Sequence, residues 1–203
     1  EFLLNMHIGD SAQMRAPADS VAKYVGGLVC RPDDKVCFYL KIHQIISQKE
    51  LSEHDKELNE RFSSEDSVLM DFVLRKYPKA ERKSSGLFVL KTTSTDGTKA
   101  EFGKTVLVNY TVCDTTGKML DTNVKDQALK GKIHNPSQIY QPFEFILGDD
   151  GLIAGWTEGV SYMHKGEKCR ILIPSKLAYG EGGFGAIAPF TPLIFDLELV
   201  DVK

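Results

Sequence analysis

One apolar and aromatic constellation runs in fixed order through the second half of the chain: Tyr110, Asp121, Phe143, Leu152-Ile153, Trp156, Tyr179, Ile187 and Phe195. Trp156 is the single tryptophan, and it follows a strand-like stretch (143–147), a Gly148-Asp149-Asp150-Gly151 turn and the apolar pair Leu152-Ile153. This is the pattern of a concave pocket, in which aromatic walls exclude water and a few polar groups orient what enters. Such a site needs no nucleophile and base. It suits an apolar ligand that is bound and twisted rather than cut.

The surrounding sequence predicts the scaffold. From residue 84 onward, short apolar runs alternate with turn signals: 86–92, a turn at 95–98, 105–113, a hairpin signal at Thr115-Thr116-Gly117-Lys118, the alternating run 169–173, and a last strand over 193–202. Residues 152–163 are the one good helix candidate here, with Leu152, Trp156 and Val160 four residues apart. The expected fold class is α+β, a twisted antiparallel sheet wrapped around one short helix. Trp156 then serves as both core and pocket floor.

A set of ordered motifs adds a family resemblance. Asn109-Tyr110-Thr111, Gly117-Lys118-Met119-Leu120-Asp121, Pro142-Phe143-Glu144-Phe145-Ile146-Leu147-Gly148, Gly155-Trp156-Thr157-Glu158-Gly159, Met163-His164-Lys165-Gly166-Glu167, Leu177-Ala178-Tyr179-Gly180 and Leu193-Ile194-Phe195-Asp196-Leu197-Glu198-Leu199 together resemble the FKBP family of peptidyl-prolyl cis-trans isomerases. The resemblance covers residues 84–203. It implies proline-containing unfolded or nascent proteins as substrates, a rapamycin-type macrolide as inhibitor, and no cofactor or metal.

The resemblance also implies roles. The prolyl ring would rest on Trp156, walled by Tyr110, Phe143, Ile153 and Phe195, with Leu120, Leu152, Phe184 and Ile187 as further substrate contacts. Ile153 would offer its backbone N–H and Tyr179 its hydroxyl to substrate or macrolide carbonyls, and Asp121 would be the polar group on the rim. The plain alternative makes Trp156, Phe195 and Tyr110 ordinary core and Asp121 a turn cap. Three departures from the family pattern stand out. Leu120 replaces an aromatic wall residue, an insertion fills 122–142, and Phe184 is the flap aromatic beside Ile187 and Pro189.

Upstream, residues 46–83 read as a helical linker, with Ser63-Ser64-Glu65-Asp66 as an N-cap followed by acids, an apolar stripe of Val68, Leu69, Phe72 and Val73, and Pro78 as the stop. Adding 157 to the residue number lays residues 3–45 on 160–202 without a gap, with eight identities: Met6, His7, Gly9, Pro17, Gly26, Pro32, Phe38 and Leu40. Because Gly and Pro punctuate the backbone, their retention points to an internal repeat. The expected organisation is 1–46, the C-terminal part of a degenerate FKBP-like domain; 47–83, a helical linker; and 84–203, the isomerase domain. The first part has no tryptophan, and Ala22-Lys23 falls where Tyr179-Gly180 would be, so it is expected to be non-catalytic. Residues 84–203 alone are expected to keep full activity.

Composition excludes rather than decides. A net charge of −3 supplies no basic field for nucleic acid. No apolar run approaches the length of a membrane span, and no signal peptide is visible. The chain opens on Glu1, which leads us to expect a processed or truncated product that has lost upstream targeting information. Two-part family members with a helical linker resemble bacterial envelope enzymes, which implies the periplasm or cell envelope, with the cytoplasm as the alternative. Cys30, Cys37, Cys113 and Cys169 lack metal-site spacing. The last three are expected to be small buried hydrophobes, and a Cys30–Cys37 bridge stays open. Two other functions remain: a holdase-like chaperone or binding module with residual activity, and a catalytically dead scaffold.

Overall fold

The computed structural model describes residues 6–18, 21, 31, 34–45, 47–149 and 151–203. The chain divides into two compact units, Glu1–Lys56 and Glu57–Lys203. The division falls inside one continuous helix, α1 (Gln48–Lys76). Among the described residues, no helix is long and apolar enough to cross a membrane.

In the first unit, β1 (Ser11–Pro17) and β2 (Lys35–Lys41) form a two-stranded antiparallel ribbon in which Met14 faces Phe38. In the second unit, β8 (Lys168–Ile173) and β9 (Leu193–Val202) pair with Ile171 opposite Phe195. Adding 157 converts every ribbon pair from Ser11↔Lys41 to Ala16↔Val36 into a β8–β9 pair, so the sequence repeat is also a repeat of register. The turn before the first strand repeats as well. The His7 N–H donates to Asp10 at 2.7 Å and the His164 N–H donates to Glu167 at 2.9 Å. Gly9 (φ +94°) and Gly166 (φ +86°) both use the left-handed conformation that glycine adopts without steric cost. The aligned residues Ala22-Lys23, Gly26 and Pro32 lie outside the described residues, as does Cys30.

The second unit is a seven-stranded antiparallel sheet. Its order is β3 (Glu81–Arg82), β4 (Phe88–Lys91), β8, β9, β5 (Thr105–Asp114) and β6 (Met119–Thr122), with β7 (Phe143–Ile146) also on β5. Strand β5, ten residues long like β9, is the hub of the sheet. Its inner edge pairs with β9, while its outer edge carries β7 along the first half and β6 along the second. The insertion leaves the sheet where those two short strands part, and it contains a small helix, α2 (Lys125–Lys130).

The short helix expected over 152–163 is α3 (Ala154–Ser161). It lies across β8 on a glycine face, where a Cβ at Gly155 would strike Ile173 Cγ2 and one at Gly159 would lie 2.6 Å from Ile171 Cδ1. That close approach turns Trp156 and Val160 into the core formed with Leu87, Val89, Val108, Ile171 and Phe195. Gly159→Ala is expected to cost about 1–3 kcal/mol through overpacking, seen as a lowered Tm. Gly151→Ala, whose Cβ would meet nothing within 4 Å, should change Tm little.

The other face of the sheet is covered too. Leu69 and Val73 of α1 pack on Phe88, Leu172 and Ile194 in a second cluster. Strands covered on both faces read as continuous apolar runs, which is why Ile171, Leu172 and Ile173 are all fully buried and the expected alternation of β8 fails.

Several local expectations need correction. Ser63 does not cap a helix, because α1 runs through it and its Oγ donates to the Asn59 carbonyl one turn back at 2.8 Å. The cap is Ser47, whose Oγ accepts the Glu50 N–H while the Glu50 carboxylate takes the Ser47 N–H at 2.7 Å, a capping box. Val68 points away from the sheet and is 69% exposed. Cys37 is an exposed free thiol because it alternates with the half-buried Val36 and Phe38. Cys113 is half-buried, and Cys169 is buried, with its thiol pushed up to about 11 chiefly by desolvation.

Candidate active site

The sheet and α3 bring the aromatic residues together around Trp156. The ring of Tyr110, from the middle of β5, meets the indole edge-on at 5.3 Å and 86°, and Phe195 from β9 meets it at 5.1 Å and 77°. Such tilted and T-shaped arrangements are favoured by the ring quadrupoles. The Trp156 indole N–H is buried and has no hydrogen-bond partner among the described residues. Ring contacts and apolar packing, not a side-chain hydrogen bond, hold the indole.

A third ring completes the wall, and it is not the one expected. Phe145 lies 6.1 Å from Trp156, while Phe143 stacks on Phe145 at 5.3 Å and remains 39% exposed. Both residues point to the same side of β7 because they are two apart. The register with β5, Val106 opposite Phe145 and Val108 opposite Phe143, decides which is inner. The alternation of the Phe143-Glu144-Phe145 run was the available signal.

Polar groups sit on the rim. The Tyr110 hydroxyl donates to Asp121 Oδ2 at 2.7 Å, and Asp121 Oδ1 accepts the Thr122 N–H at 2.8 Å. Burial, then the hydrogen bond and charge of Asp121, push the Tyr110 phenol well above its ordinary value. Burial and then the Asp121 charge raise Tyr179 as well. Both hydroxyls therefore stay protonated through neutral pH. That of Tyr110 is committed to Asp121, whereas that of Tyr179 donates to no described residue. Ile153 caps α3 in an extended conformation (φ −62°, ψ 140°), and its N–H is bonded to no described backbone carbonyl.

The remaining expected contacts are placed at the margins. Leu120, Leu152, Ile153, Tyr179 and Ile187 are half-buried and pack on the main core. Phe184 is 66% exposed and stacks on Tyr179 at 5.0 Å, at the tip of a tight turn closed by reciprocal backbone bonds with Ile187.

One buried residue went unnoticed in the sequence. Asn123, 7% exposed, accepts the Tyr110 N–H at 2.7 Å and donates to the carbonyls of Val108 and Gln141 at 2.9 and 3.0 Å. It occupies the gap between β6 and β7 and fixes the β5 backbone under Tyr110. Nothing in its local sequence marks it.

The frame is thus an antiparallel sheet packed on one short helix, with the rings of Tyr110, Phe145 and Phe195 gathered around Trp156 and the Asp121 carboxylate bonded to Tyr110 beside them. The family described as FKBP-type peptidyl-prolyl cis-trans isomerase matches residues 96–200, and the chain belongs to that family. It is 34% identical over 148 residues to the FKBP-type isomerase FkpA of Escherichia coli K12, covering 73% of this chain and 45% of that protein. It is 38% identical over 120 residues to a probable FKBP-type isomerase of Haemophilus influenzae, covering 59% and 44%. The chain thus spans less than half the length of these two relatives. Among solved structures, a Pseudomonas syringae isomerase superposes with a TM-score of 0.55 at 29% identity, covering 71% of this chain and 95% of that one. E. coli FkpA gives 0.56 at 27%, covering 79% and 75%.

Proposed function

We propose that the chain catalyses cis-trans rotation of X–Pro bonds in unfolded or nascent proteins. The observation that carries this reading is the Trp156 floor, walled by Tyr110, Phe145 and Phe195. Rotation about an X–Pro bond is slow, tens to hundreds of seconds uncatalysed, because twisting sacrifices amide resonance against a barrier of about 18–20 kcal/mol. Water favours the planar, charge-separated amide. A dry aromatic pocket favours the less polar twisted form instead.

In this reading Trp156 carries the prolyl ring, with Tyr110, Phe145, Ile153 and Phe195 as its surround and Phe143 stacked outside on Phe145. The Ile153 N–H and the Tyr179 hydroxyl orient the flanking carbonyls, and Asp121, held by Tyr110, is the polar rim group. A rapamycin-type macrolide would occupy the same pocket as an inhibitor. The same reading treats residues 1–46 as a non-catalytic, degenerate FKBP-like segment, supported by the shared register of its ribbon. It places the protein in the bacterial periplasm or envelope, supported by the likeness to FkpA.

Turnover of a short Xaa-Pro peptide, measured beside suppression of aggregation of an unfolded protein, tests this function against a chaperone. The second reading has one observation in its favour, the large exposed apolar side chains Ile8, Met14 and Tyr39 in the first unit. Aggregation suppressed without peptide turnover would favour it.

Because Tyr179 and Asp121 orient ligand and transfer no proton, Tyr179→Phe and Asp121→Ala should each lower kcat/KM by roughly three- to tenfold, the effect of about one hydrogen bond. The raised Tyr179 value keeps its donor in place as pH rises. The pH–rate profile should therefore be nearly flat between about pH 6 and 8, unlike that of an acid–base enzyme. A bell-shaped profile, or complete loss in either variant, would count against the assignment.

A further inference from the structure

A flap, residues 180–190, begins beside Tyr179 and carries Phe184, which stacks on the Tyr179 ring, and Ile187. Both of its ends are gripped by one face of α1, in the stretch of that helix belonging to the second unit. At one end, the carboxylate of Glu65 accepts the Ser175 N–H through Oε1 at 2.7 Å and the Ser175 hydroxyl through Oε2. Ser175 is 1% exposed. Its own carbonyl then accepts the N–H groups of Ala178 and Gly180, both at 2.9 Å, which wraps the backbone around the position of Tyr179.

At the other end, the Phe190 N–H donates to the Gly180 carbonyl at 2.9 Å and closes the flap. Phe190 has φ +54°, a left-handed conformation that persists in a side-chain-bearing residue only where its surroundings enforce it. Here the surroundings are helical. The ring of Phe62 lies 5.3 Å from that of Phe190, and the Arg61 guanidinium sits 5.1 Å over it. Arg61, Phe62 and Glu65 fall on one helix face, since positions three and four apart are neighbours.

None of these groups touches the Trp156 floor. What they hold is Tyr179, whose hydroxyl has no partner among the described residues, and the turn that stacks Phe184 on its ring. Resting on the function proposed above, we propose that Phe62 and Glu65 of α1 are positioning residues that set the place of Tyr179 and the flap, so that the helix preceding the family domain is part of the machinery of the pocket.

The test uses the full chain. Glu65→Ala and Phe62→Ala should each reduce kcat/KM on an Ala-Pro peptide by about five- to tenfold, mainly through KM, and weaken rapamycin binding by a similar factor. The emission spectrum of Trp156 in the free protein should not move. Glu65→Gln, which keeps an acceptor for the Ser175 N–H and a donor for its hydroxyl oxygen, should restore most of the loss. In a Tyr179→Phe background, Glu65→Ala should change kcat/KM by less than about twofold, because the group it positions is already gone. An inactive parent chain would overturn the proposed function. With an active parent, this inference alone is overturned if folded Glu65→Ala and Phe62→Ala turn over at the parental rate, or if Glu65→Ala costs the same factor with and without the Tyr179 hydroxyl.

Discussion

Trp156→Leu is expected to lower kcat/KM for an Xaa-Pro peptide by roughly ten- to a hundredfold, corresponding to about 1.4–2.8 kcal/mol of transition-state stabilisation. The indole makes three ring contacts, with Tyr110, Phe145 and Phe195, each worth about 0.5–1.5 kcal/mol beyond its buried area. Leucine keeps the site apolar but removes the flat floor. Trp156 is also 5% exposed core, so the same change should lower Tm, and turnover must be compared well below the transition. Since Trp156 is the single tryptophan, its fluorescence reports on the pocket directly, and the parental emission should change when rapamycin is added. A folded Trp156→Leu chain with parental turnover would remove Trp156 from the site.

Removing the helix should be as damaging to folding as removing the floor is to activity. Leu69 and Val73, each 2% exposed, cover Phe88, Leu172 and Ile194. Burial of each such side chain is worth about 1.5–3 kcal/mol. Cutting at residue 84 exposes three and discards two, a loss comparable to the roughly 5–15 kcal/mol that holds a whole domain together. A fragment of residues 84–203 is therefore expected to melt at much lower temperature than one of residues 57–203, and to bind a hydrophobic dye. This differs from the activity expected of 84–203 on sequence grounds. Equal Tm values for the two fragments would show that the second cluster contributes little. Leu69→Ala in the full chain, at about 2–5 kcal/mol, is the finer probe.

The repeat shows how far a one-dimensional pattern can reach. A gapless offset with glycine and proline retained predicted that β1–β2 and β8–β9 share a register, because period-two side-chain alternation and the turn glycines fix pairing locally. The His7 and His164 turns follow for the same reason. Helix α1 shows the limit. A serine followed by acids is a cap only where the chain turns, and Ser63 lies in the middle of a helix that continues past it. The signal for the second core was present in Ile171-Leu172-Ile173, which is apolar on both faces, but it could not say what covers the outer one.

The sequence alone determined the family, the α+β class, the helix that presents Trp156 and the set of rings around it, because ordered motifs and local periodicity carry that information. Tertiary structure decided the choices that no local rule makes. Phe145 rather than Phe143 meets Trp156 because of the β5–β7 register. Asn123 supports Tyr110 from across a gap between two strands. Glu65 reaches Ser175 over a separation of 110 residues. Each depends on where two distant backbones come to lie, which is settled by packing the whole sheet between two helices and leaves no mark on the neighbouring sequence.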